Sequence, residues 1–166
     1  ISILSGDIPS YITIEARGNF GGYMEYSEKK KTAYSMTRKD IIWNIRTSLG
    51  GRAAEMVYFG PENGLATGPS SDLEHATRSA VNMITAYGMD ESFGLATMSY
   101  ETAEKSPEIR ARVNEILSEQ LAVTIDLIKE HQAMLNKLFD ALIAKNRLTS
   151  DEIEELLKDE IQAIKN

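Results

Sequence analysis

Apolar positions fall at helical spacing through most of the chain beyond residue 37 and alternate with polar ones only before it. Tyr11–Ala16 is rich in β-formers and follows Pro9, and Gly22–Tyr26 alternates as a second strand. The glycines and Asn19 between them predict a hairpin with a loop longer than two residues. From Thr37 the period changes. Thr37 with Asp40 resembles a capping box, and Ile41, Ile45, Leu49, Ala53 and Met56 or Val57 share one helix face as far as about Tyr58. Gly60–Pro61 should stop that helix. Gly50 and Gly51 inside it each cost about 1 kcal/mol against Ala, which predicts close approach by a neighbouring helix.

After a loop over 61–69, Ser71 with Glu74 predicts a second capping box, and Leu73, Ala76, Ala80, Met83, Ile84 and Tyr87 form a buried face ending at Gly88. Residues 89–105 read as irregular. Ser106–Pro107 opens a long helix with Ile109, Val113, Ile116, Leu117, Leu121, Ile125 and Ile128 inward. A break near His131 precedes Leu135, Leu138, Phe139 and Leu142. Thr149–Glu152 then caps a last helix carrying Ile153, Leu156, Leu157, Ile161 and Ile164. The expected fold is mainly α (α+β), a helical domain with a small N-terminal sheet or hairpin. It reads as one domain over 1–166, with strands in 1–36, motif helices in 37–88 and C-terminal helices in 106–166.

Charge narrows the partners. Eighteen Lys+Arg stand against 25 Asp+Glu, for a net charge of −7. That opposes nonspecific nucleic-acid binding, which depends on neutralising phosphates, and docking on anionic lipid. The run Lys29–Lys31 fits an exposed loop or strand end better than a binding patch. There is no cysteine, so thiolate metal sites, cysteine nucleophiles and disulfides are excluded. No apolar stretch approaches the length of a membrane span. The chain opens with Ile rather than Met, which suggests a piece of something longer.

Local chemistry leaves function open. No phosphate loop, dinucleotide fingerprint or nucleophile elbow occurs, and the glycines at 18–22 join two strands. The only histidines are His75 and His131. His131 has no strong second ligand at helical spacing. His75 shares a face with Asp72 at i,i+3, yet two ligands fall short of the four a zinc ion usually takes. From local chemistry alone, Asp72 reads first as a first-turn carboxylate favoured by the helix dipole, and only second as a ligand.

Three separated motifs carry a resemblance: Leu49–Glu55 followed by Phe59–Gly60, then Thr67–Thr77, then Tyr87–Gly88–Met89. In this order and spacing they resemble the protease domain of the FtsH family, membrane-anchored ATP-dependent zinc metalloproteases of the AAA class. Weaker similarity extends over nearly the whole chain, including Ala144–Thr149. The resemblance implies zinc-assisted hydrolysis of peptide bonds in protein or peptide substrates. It implies zinc held by two histidines of a His-Glu-x-x-His helix and by one aspartate matching Asp72, with the motif's Glu as general base. It further implies that substrate adds to the strand containing Gly22, Tyr23 and Met24. The parent would be a hexamer on the cytoplasmic face of a membrane, with ATP in an upstream module. This segment itself would be soluble, without membrane contact.

One departure is large. The sequence holds no His-Glu-x-x-His, and in the family that helix would lie before Ile1. The chain alone is therefore expected to lack catalytic residues, to bind zinc weakly or not at all, and to be inactive. His75 stands where the family usually has Gln, so no ligand role is carried onto it. The alternative is a non-proteolytic relative acting as an oligomerisation or interaction module.

Overall fold

The computed structural model describes residues 1–15, 22–26 and 35–165. The glycine-rich stretch 18–21 and the lysine run 29–31, read from the sequence as a turn and an exposed loop, lie outside the described residues. Seven helices and one small antiparallel sheet are present among those described, so the chain is mainly α with a small sheet. It divides into two compact units, Ile1–Ser35 with Glu130–Asn166, and Met36–Lys129.

In the second unit, α1 spans Arg38–Asn63. Its start follows the sequence pattern: Thr37 Oγ1 accepts from Asp40 N–H at 3.2 Å, and Asp40 Oδ2 accepts from Thr37 N–H at 2.7 Å. Gly60, at φ 78° and ψ 163°, interrupts the helix in a region open essentially to glycine. Pro61 follows, so the regular part ends where the sequence predicts and one further turn runs to Asn63. Ile41, Ile45, Leu49 and Ala53 are buried on one face. The close packing expected at Gly51 is absent. Gly51 is exposed, and a Cβ there would meet only Pro69 Cγ at 3.8 Å, an ordinary contact.

α2 (Ser70–Thr85) packs on α1, α3 is the short helix Tyr100–Glu104, and α4 spans Pro107–Glu130. Their core joins Ile41, Ile45 and Leu49 to Ala76, Ala80, Met83, Ile84, Ala103, Ile109, Val113 and Ile116. α2 departs from its expected cap. It begins at Ser70 with Pro69 as N-cap, and no side chain caps it. Proline has no side-chain acceptor, and Glu74 pairs with Arg78 at 2.7 Å instead of turning back to Ser71. Gly88 takes the expected left-handed turn at φ 59°, and Met89 N–H returns to Met83 O at 3.0 Å. The irregular segment that follows is anchored by Asp90, which accepts from Arg112 Nε at 3.0 Å and Ser92 N–H at 3.1 Å.

In the first unit, β1 (Tyr11–Thr13) lies between β2 (Tyr23–Glu25) and β3 (Arg147–Thr149), antiparallel to both. Tyr11 opposes Glu25 on one side and Thr149 on the other. Ile12 and the buried Leu148 face the apolar cluster of Ile3, Met134, Leu138, Ile153 and Leu157. That cluster is completed by α5 (Gln132–Lys145), α6 (Ser150–Leu156) and α7 (Lys158–Lys165). The last helix is thus two short ones, broken at Leu157.

The cap of α6 makes this unit acid-sensitive. Glu152 is held at about 2, chiefly by Lys145 Nζ at 2.6 Å and then by Thr149 N–H. The depressed folded value means that its stabilising contribution is complete above the unfolded carboxylate pKa of about 4.3 and is lost as pH falls towards 2. Glu152→Gln should flatten the pH dependence of unfolding in that window, as read by denaturant melts followed by circular dichroism. A slope equal to that of the wild type would remove Glu152 from the acid response.

Candidate metal and peptide sites

Asp72 lies in the first turn of α2, in the second unit, while Gly22, Tyr23 and Met24 lie in the first. The approach to Asp72 is shaped by a loop that has almost no freedom at one point. Gly64 is buried, and a Cβ on it would come within 2.6 Å of Phe59 Cβ and 2.7 Å of both Glu55 O and Gly60 O. Gly64 N–H closes this turn on Gly60 O at 3.0 Å. Ser70 N–H then reaches Thr67 O at 3.2 Å, and Leu73 N–H reaches Pro69 O at 2.9 Å, so the helix starts from a buried proline.

The Asp72 side chain is exposed, and no hydrogen bond or ion pair engages it. Several acids at helix starts are engaged: Asp40 and Glu152 close capping boxes, and Glu108 accepts from Ser106, whereas Asp151 and Asp159, like Asp72, are exposed without a partner. Asp72 presents its carboxylate to solvent at the positive end of the dipole of a 16-residue helix, longer than those that Asp151 and Asp159 begin. A hard oxygen donor held this way suits zinc at the usual distance of about 2.0–2.2 Å. It is one donor only. Among the described residues no three His, Cys, Asp or Glu are grouped to hold a metal. One such carboxylate would need further donors from elsewhere to make a metal site. His75, one turn on, is exposed and also unpartnered.

In the other unit, β2 pairs with β1 and forms an edge of the sheet among the described residues. Its outer backbone groups are those an added strand would use. Gly22 has no Cβ for a local reason: one would sit 2.8 Å from Thr13 O. Met24 is 48% exposed. On the opposite face Tyr11 donates to Glu25 Oε2 at 2.5 Å and lies edge-on to Tyr23, their ring centroids 5.6 Å apart. The bond to Glu25, and then that to Tyr23, hold the Tyr11 phenol above its usual pKa. Arg147 stacks over the Tyr11 ring at 4.1 Å, tying β3 to the same face.

Residues 5–156 match the sequence pattern of Peptidase family M41. The chain belongs to peptidase family M41. Relatives named ATP-dependent zinc metalloprotease FtsH align along most of it. That of Mesomycoplasma conjunctivae is 33% identical over 94% of the chain, and that of Mesoplasma florum is 35% identical over 86%. The Clostridium perfringens protein is 34% identical over 88%. The resemblance to the FtsH protease domain read from the three motifs is thus correct. The chain spans about a quarter of the length of these M41 relatives, 22% or 23% of each. No helix among the described residues is long and apolar enough to cross a membrane.

Proposed function

We propose that this M41 chain is part of an ATP-dependent zinc metalloendopeptidase that hydrolyses peptide bonds in protein substrates, and that Asp72 is its carboxylate ligand to zinc. The observation that carries this reading is the unpartnered, exposed Asp72 carboxylate at the start of a well-packed helix. When bound, zinc would polarise the scissile carbonyl and lower the pKa of a water molecule. Asp72 would contribute a negative oxygen ligand, and α2 would keep that oxygen in place. Gly22, Tyr23 and Met24 would receive the substrate backbone along the free edge of β2, and the missing Cβ at Gly22 would let β2 lie close to β1.

The two imidazole ligands and the general base would come from a His-Glu-x-x-His helix, which these 166 residues do not contain. By themselves they would bind zinc weakly and hydrolyse nothing. The parent protein would carry an ATPase module, assemble as a hexamer and sit on the cytoplasmic face of a membrane. The names of the FtsH relatives support the ATP and zinc parts of this reading.

Zinc titration of two proteins tests it. The full-length protein should take up one zinc per chain and degrade an unfolded protein such as casein, and a chelator should stop the reaction. The 166-residue chain should do neither. Stoichiometric zinc and hydrolysis by the short chain would overturn the division of ligands. A full-length protein that binds no zinc would favour the non-proteolytic interaction module.

A further inference from the structure

The segment Leu49–Glu55 matches the family but touches no proposed ligand, and its charged residues have a definite target. Arg52 Nη2 donates to Ala66 O at 2.9 Å, and Arg52 Nη1 lies 3.0 Å from Glu55 Oε2. The same Glu55 oxygen accepts from Ala66 N–H at 3.4 Å. One ion pair on α1 thus engages both backbone polar groups of a single loop residue. Its side chains are 16% and 19% exposed, so water screens the pair little.

Three neighbouring features point the same way. Gly64 is pressed on Glu55 O, the buried Pro69 lies over Gly51, and α2 begins from Pro69 O. Ala66 sits between these two fixed points and six residues before Asp72. A planar guanidinium can hold Glu55 and the Ala66 carbonyl together; an ammonium reaches one geometry at a time.

We infer that Arg52 and Glu55 are positioning residues that clamp Ala66 and thereby set where Asp72 presents its carboxylate to the metal. The inference rests on Asp72 being a zinc ligand. Partners that orient metal ligands typically change metal affinity by about 10–100-fold when removed.

The test uses the full-length protein and zinc itself, in competition with a chelator of known affinity. Four variants are compared with wild type: Arg52→Gln, Arg52→Lys, the double change Arg52→Gln with Glu55→Gln, and Asp72→Asn. The double variant leaves no unpaired carboxylate and so separates positioning from folding. With melting temperature preserved, it should lose about 10–100-fold in zinc affinity. Arg52→Lys should lose less. Cobalt(II) in place of zinc should show altered visible bands in the double variant, which a purely structural role would not produce. Zinc affinity within about twofold of wild type in the folded double variant, with Asp72→Asn impaired, would overturn the clamp alone. Unchanged affinity in Asp72→Asn would instead overturn the ligand assignment beneath it. If Arg52→Gln fails to fold, Arg52→Lys decides: unchanged affinity and an unchanged cobalt spectrum there would also refute the clamp.

Discussion

Asp72→Asn in the full-length protein should lower peptidase activity at least ~100-fold and leave the fold almost untouched. A neutral amide oxygen is a poorer zinc ligand than a carboxylate, and loss of a ligand should exceed the roughly 10–100-fold cost of losing a group that merely orients one. The small structural effect follows from what Asp72 lacks. It has no hydrogen bond and no ion pair, and its exposed side chain fills no cavity. Only the favourable placement of a negative charge in the first turn is lost, worth about 0.3–1 kcal/mol. Activity assays alongside thermal melts separate the two effects. Full activity would remove Asp72 from the reaction; a large drop in melting temperature would show that its role is structural.

The reverse profile is expected at Arg112, where the effect is on stability. Asp90 has a side chain only 1% exposed, and Arg112 Nε meets its Oδ2 at 3.0 Å. Ser92 N–H is its other partner. Arg112→Met would leave this carboxylate buried without a counter-charge, at a cost of about 3–5 kcal/mol. For a chain of this size the melting temperature should then fall by roughly 6–20 °C. The same change removes the Arg112 bond to Glu115, but that partner is 61% exposed and contributes little. The double variant Arg112→Met with Asp90→Asn, which leaves no unpaired buried charge, should recover much of the loss. A single variant that melts as the wild type does would mean that the Arg112–Asp90 pair does not hold this segment in place.

The helices of the core were readable because burial repeats with their own period. Ile41, Ile45, Leu49 and Ala53 announce α1, and Thr37 with Asp40 marks its start by a local bond that needs nothing distant. β3 was not readable. Arg147–Thr149 offers a single buried side chain, Leu148, and its pairing partner lies at the other end of the chain. The short α3 had too few residues to show a period. The cap of α2 expected at Ser71 does not form, because the helix starts from the buried Pro69 two residues earlier. Among candidate site residues, Asp72 stood out only through the motif around it, since a lone acid at a helix start is explained first by the helix dipole. Arg52 and Glu55, i and i+3 on α1, entered only as members of the Leu49–Glu55 motif. Their target, the backbone of Ala66, carries no side-chain signal that a sequence could display.

The most direct measurement is a calorimetric titration of zinc into the metal-free full-length protein, wild type against Asp72→Asn. Asp72 as the carboxylate ligand predicts one zinc per chain in the wild type and an affinity at least ~100-fold lower in the variant, since the imidazoles alone would then hold the ion. Equal affinity in the two proteins would mean that another residue completes the site, and the assignment of Asp72 would be wrong.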